Sequence, residues 1–283
     1  MRFLLEHHTA YVFDAPVHLE SQTIRLRPRA DAATRVVDFK MEIDPLPAVR
    51  AENLDLEGNL VVMAWFRGAT TRLDISTRAT VDTLVTDPFR FLVEDPDRTL
   101  PYAYPPDIGE RLRSYRRAPD AAHPTVRAVA IEAAQASDRG QASFPFTLAR
   151  QIHRDFALEN RPEGAPLAAE DTVAAGRGAC RDVAVLFVEC CRAMGLAARF
   201  VSGYAYTDDT RQVELHAWGE VYLAGGGWRA YDPSRGLAVS DQHVTLAAAA
   251  DPADAAPVSG TFRGDGADSR LETALTMRAV STQ

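Results

Sequence analysis

The opening 85 residues alternate. Phe3, Leu5, His7, Thr9 and Tyr11 interleave with Leu4, Glu6, His8 and Ala10 at a period near two, the spacing of a strand with one covered face. Leu73 to Val85 alternates in the same way. Asp14-Ala-Pro16 and Asp44-Pro-Leu-Pro47 read as turns, and Glu57-Gly58-Asn59 between two apolar runs reads as a hairpin. Several short strands at this spacing predict a β-sandwich over residues 1–88.

A proline-rich passage, from Asp87-Pro-Phe89 to Pro101-Tyr-Ala-Tyr-Pro-Pro-Asp107, marks a change of domain. Helical periods follow. Pro124 opens a run to Ala134, at a first-turn position that tolerates a missing N–H. Leu148, Ile152 and Phe156 recur at helical spacing on one face. The strongest pattern runs from Ala179 to Met194, where Val183, Leu186, Phe187, Cys190 and Met194 make one apolar stripe and Gly195 is placed to cap the end. Residues 199–204, 214–223 and 228–231 read as antiparallel strands. The chain thus divides into a strand-rich domain (1–88), a core of helices and strands (89–250) and an Ala/Pro/Gly-rich tail (251–283) that closes on a strand pattern from Arg270 to Val280. The expected class is α+β.

Composition narrows the function. A length of 283 residues suits two domains, and a net charge of -8 argues against the basic face that nucleic acid would need. Residues after Met1 lack the apolar stretch of a signal peptide, and no run approaches the ~20 apolar residues of a membrane span. The expectation is a cytoplasmic protein that uses neither membrane nor nucleic acid. Cys180 and Cys190, on one helix, would stand about 15 Å apart at ~1.5 Å rise per residue, beyond disulfide reach. Cys190 and Cys191 are adjacent and point to different faces, so no disulfide framework is available, which fits a reducing compartment.

The candidate chemistry centres on Cys180, in Gly-Arg-Gly-Ala-Cys-Arg-Asp directly ahead of the apolar helix. His216 opens His-Ala-Trp-Gly-Glu-Val-Tyr-Leu, and Asp232 ends Gly-Trp-Arg-Ala-Tyr-Asp. A thiol at a helix start is favoured as thiolate by unsatisfied N–H groups and by a neighbouring imidazolium. His216 would then act as base and acid, with Asp232 fixing its tautomer. Glycines 176 and 178 clear space for a substrate carbonyl. Taken singly, each residue has a plainer reading: a cysteine before an apolar helix is usually core, a strand histidine is usually a satisfied polar group, and Asp-Pro commonly starts a turn. Cys190 belongs to the apolar stripe, and Asp182 suits the helix dipole. No C-x-x-C or H-x-x-x-H pair exists and no phosphate-loop pattern follows Gly225–Gly227, so neither metal nor cofactor is expected.

Gly-Arg-Gly-Ala-Cys-Arg-Asp-Val-Ala-Val-Leu, Ala-Arg-Phe-Val-Ser-Gly-Tyr, His-Ala-Trp-Gly-Glu-Val-Tyr-Leu and Gly-Trp-Arg-Ala-Tyr-Asp-Pro together resemble the transglutaminase-like superfamily. The strand-rich opening and the tail Asp251-Pro to Arg263-Gly264 resemble its bacterial members described as transglutaminase-like cysteine proteases. The resemblance implies a papain-like core, a helix bearing the nucleophile packed on an antiparallel sheet, with Cys180 as nucleophile, His216 as base and Asp232 as orienter. It further implies a peptide or protein substrate and acyl transfer through a thioester, by a cysteine hydrolase first and a protein-glutamine transglutaminase second. A peptide-binding module on a retired fold is the third reading. Animal transglutaminases use a tryptophan upstream of the cysteine for the oxyanion. This chain departs from them, since its tryptophans are Trp65, Trp218 and Trp228.

Overall fold

The computed structural model describes residues 1–116, 122–161, 163–207, 215–264 and 266–280. Glu214, the first residue of one expected strand, lies outside them. Among the described residues, two antiparallel sheets and five α-helices form the framework.

The alternating opening is one strand of 23 residues, β1 (Arg2–Ile24). Four strands follow: β2 (Thr34–Asp44), β3 (Val49–Leu54), β4 (Leu60–Trp65) and β5 (Thr70–Thr83). Asp14-Ala-Pro16 does not turn the chain back, as the sequence pattern suggested. β1 continues through it, and its pairing with β5 shifts register between Val12 and Val17. Proline has no N–H to give the ladder, so pairing lapses there while the strand goes on. Before the lapse, β1 lies between β5 and β14 (Ser269–Val280). After it, β1 pairs with β13 (Val258–Arg263) and β4. The β-rich N-terminal part is therefore one curved, half-barrel sheet in which both halves share β1. Two strands of the tail complete it; the sequence pattern marked β14 and passed over β13.

The second sheet has the order β11-β10-β9-β8-β12. It comprises β8 (Ala198–Ala205), β9 (Leu215–Leu223), β10 (Gly227–Asp232), β11 (Leu237–Ala238) and β12 (His243–Ala249). On one face lie α2 (Pro124–Ala136), α3 (Phe144–Asp155) and α5 (Cys180–Ala193), with α1 (Pro106–Arg111) and α4 (Ala169–Ala175) at the margins. The apolar stripe of α5 is buried throughout, from Val183 to Met194. It meets Ala130, Ala133, Leu148 and Ile152 from the neighbouring helices and Val221 and Tyr231 from the sheet. Each such side chain contributes ~1.5–3 kcal/mol by leaving water, which fixes the helix against the strands.

The other face of β8 and β12 meets the half-barrel, where Tyr204, Val244 and Leu246 pack with Phe3, Leu5, Leu73 and Ile75. Asn59, in the β3–β4 hairpin, docks on the outer edge of β12. Its amide donates to Ala248 O at 3.0 Å and accepts from Ala248 N at 2.9 Å, substituting for a strand partner. This edge would otherwise leave buried backbone groups unpaired.

Candidate active site

The approach to Cys180 is constrained residue by residue. Gly176, with φ of +63°, ends α4 in the left-handed conformation that glycine adopts without strain. Arg177–Gly178 forms a short strand, β7, parallel to β6 (Ala157–Leu158). A Cβ on Gly178 would stand 2.8 Å from the Cβ of Asp182, so no side chain fits where the chain enters the helix. Asp182 is wholly buried and ties this entry together. Its Oδ2 accepts from Ala179 N at 2.8 Å, while Oδ1 accepts from Leu167 N at 2.8 Å and Arg161 Nη2 at 2.5 Å. The sequence reading gave Asp182 to the helix dipole alone. The structure adds that it anchors the loop before α4 to the first turn of α5.

Cys180 is the first residue of α5 and half-buried, whereas Cys190 and Cys191 are fully buried. Burial pushes both of those thiols up from their ordinary range, so neither supplies thiolate near neutrality. All three cysteines are free.

His216 stands on β9 opposite Gly203 of β8. Its Nε2 is 2.8 Å from Oδ2 of Asp232, the last residue of β10. Burial alone would lower the His216 pKa. The charge and hydrogen bond of Asp232, with a smaller contribution from Cys180, raise it instead to about 9. Asp232 is fully buried, and burial would raise its pKa; the charge and hydrogen bond of His216, then the hydrogen bond of His243, hold it far below the usual carboxylate range.

The carboxylate is held on both oxygens. Oδ1 accepts from Ser234 Oγ at 2.6 Å, Ser234 N at 3.0 Å and Arg235 N at 3.2 Å. Oδ2 accepts from His216 and from Nε2 of His243 at 3.1 Å. Sequence reasoning missed Ser234 and His243. A serine two residues after an aspartate is a common turn signal and could have drawn notice. His243 opens a strand whose later residues are mostly alanine, which hid its alternation.

The ligand atoms of His216, Asp232 and His243 lie within 4.8 Å of one another, a grouping that could suggest a metal. Their hydrogen bonds account for it more simply. Each imidazole donates Nε2–H to one carboxylate oxygen, which leaves no lone pair on either Nε2 for a cation.

A helix that begins at a half-buried thiol, packed on an antiparallel sheet that carries a buried His–Asp pair, defines a papain-like, transglutaminase-like core. Residues 127–233 match the transglutaminase-like superfamily, and residues 3–82 match the bacterial transglutaminase-like N-terminal region. An uncharacterised protein of Mycobacterium leprae is 26% identical over 94% of this chain and 95% of its own length. One from Mycobacterium tuberculosis is 25% identical over 97% and 91%. A solved structure from Cytophaga hutchinsonii, titled a "putative cysteine protease", superposes with a TM-score of 0.70 at 22% identity and covers 100% of this chain and 92% of its own. Among the described residues, no helix is long and apolar enough to cross a membrane.

Proposed function

We propose that the chain is a thiol-dependent acyl-transfer enzyme acting on an amide or peptide bond, with Cys180 as nucleophile, His216 as acid and base, and Asp232 as its orienter. The supporting observation is the buried 2.8 Å pair of His216 with Asp232, whose imidazole is raised in pKa in part by Cys180, the half-buried thiol at a helix start. Sulfur attacks the carbonyl carbon, forming a C–S bond while the carbonyl oxygen takes the displaced electron pair. Backbone N–H groups at the start of α5, which have no partner within the helix, would receive that oxygen. The C–N bond then breaks, His216 gives its proton to the leaving amine, and water deprotonated by His216 resolves the thioester to acid and free thiol. The proposed location is the cytoplasm, in keeping with three unbridged cysteines.

Incubation with a glutamine-containing protein and a labelled primary amine tests the reaction. Ammonia or new peptide ends without labelled adduct are expected; adduct would assign the chain to amine transfer instead. Cys180→Ala should lower the rate by a factor on the order of a thousand or more. Alkylation of Cys180 near pH ~6 should outpace that of a free thiol. Ordinary reactivity there would leave a peptide-binding module as the better reading.

A further inference from the structure

His243 is a buried imidazole hydrogen-bonded to Asp232 that the proposed reaction leaves without a task. It reaches Asp232 from a different direction in the sheet than its partner does. His216 stands on β9, beside β10 and its Asp232, whereas His243 opens β12, on the far side of β8. The His243 side chain is 1% exposed. Its Nε2 meets Oδ2 at 3.1 Å, and its Nδ1 is buried with no hydrogen-bond partner. An imidazole that donates at Nε2 and has no acceptor near Nδ1 is stable only as the neutral Nε2–H tautomer, because a second proton would sit in the interior unpaired.

The surroundings enforce that state. Trp218 packs edge-on against the His243 ring at 5.2 Å, and it can do so because Gly203 between them has no side chain; a Cβ there would stand 2.5 Å from the indole. The charged and titratable groups that face His243 are Asp232, His216 and Arg235. Those facing His216 are Asp232 and Cys180, with the Ser234 hydroxyl 3.3 Å from Nε2 and the His243 ring centroid 6.2 Å away. Arg235 lies 3.8 Å from Oδ2 and donates its Nη1 to Tyr206 O.

We propose that His243 is a positioning residue for the His216–Asp232 pair: a neutral imidazole that shares Oδ2 with His216, aims the carboxylate at that ring and dilutes its charge. With Ser234 and Arg235 N–H occupying Oδ1, the carboxylate can neither rotate nor take the proton from His216. Without His243, Oδ2 would have His216 as its sole hydrogen-bond donor. The carboxylate would grip the imidazolium harder and make it a poorer acid toward the leaving amine. This inference rests on the proposed function, and the test separates the two.

Histidine-ring NMR of the 15N-labelled full chain reads both imidazoles directly. In the wild type, His243 should show the Nε2–H tautomer and stay neutral at pH values where a free imidazole has taken up its proton. His243→Phe should move the His216 midpoint upward by on the order of one pH unit. His243→Gln, whose amide N–H can reach the same oxygen, should restore it to within a few tenths of a unit. A protonated His243 at neutral pH in the wild type overturns the proposal even if His243→Phe fails to fold. So does an unmoved His216 midpoint in His243→Phe, or equal shifts in both variants. Cys180 alkylation in the wild type reports separately on the acyl-transfer reading. A slow thiol there refutes that reading, whereas a fast thiol with unmoved midpoints refutes only the role of His243.

Discussion

The ring of Phe187 occupies the space that a side chain at position 219 would need: a Cβ on Gly219 would stand 2.4 Å from its Cδ1. Phe187 is on α5, which begins at Cys180, and Gly219 is on β9, which carries His216. The absence of one methyl group therefore sets how closely the helix of the thiol approaches the strand of the imidazole. Gly219→Ala should overpack this contact at a cost of about 1–3 kcal/mol and lift α5 from β9. Thermal unfolding should show the loss, and Cys180 alkylation near pH ~6 should slow with it. A variant with unaltered melting and thiol reactivity would mean that the contact has slack.

Asp182 gives a second prediction. Asp182→Ala should remove the acceptor of two backbone N–H groups and of Arg161, destabilising the chain by roughly 2–3 kcal/mol. Asp182→Asn keeps one acceptor oxygen and should lose less. Protease susceptibility around residues 161–167 should rise in the alanine variant before global unfolding, because that loop is tied to α5 through this carboxylate. Equal resistance in wild type and variant would contradict the anchoring role.

Two histidines should shape stability against pH in opposite senses. His7 bonds Tyr204 across the interface through Nδ1 at 2.8 Å, and burial, then the charge of His8, lowers its pKa to about 4. An unfolded histidine titrates near ~6.5. The unfolded chain thus binds a proton that the folded chain refuses, so stability present above ~6.5 is lost progressively as pH falls toward 4, by up to roughly 3 kcal/mol. His216, raised to about 9, works the other way: its contribution is full below ~6.5 and is lost as pH rises through 9. Urea denaturation of His7→Gln should show a flatter acid arm with an unchanged alkaline arm; a steep acid arm in that variant would place the acid sensitivity elsewhere.

Much of this arrangement is legible in the sequence because burial imposes period. The stripe of α5 and the alternation of β1, β5 and β14 are visible for that reason. Leu148 and Ile152 on α3 are likewise buried as their spacing requires. The misses share a physical origin. Asp14-Ala-Pro16 has turn composition, yet β1 stays extended through it because partner strands pair with the residues before and after. β12 is short and alanine-rich, so its strand character comes from pairing with β8 and from Asn59 rather than from its own residues. His243, on that strand, acquires its meaning only from a carboxylate on another. The role of Asp182 as an anchor was hidden because its partners Arg161 and Leu167 lie in a loop whose path no periodicity describes.

β1 draws its partners from the far end of the sequence: Arg2 pairs with Val280 and Phe13 with Ser269 of β14, and His18 with Arg263 of β13. Closing so long an interval adds little to the entropic cost per added residue, but it places the finishing step of the first-made sheet after the last-made helix and strand of the core. Closure of this sheet therefore needs residues 258–280. A nascent chain halted at residue 250 would already carry Cys180 and His216 while β1 still offered a bare edge to any passing partner.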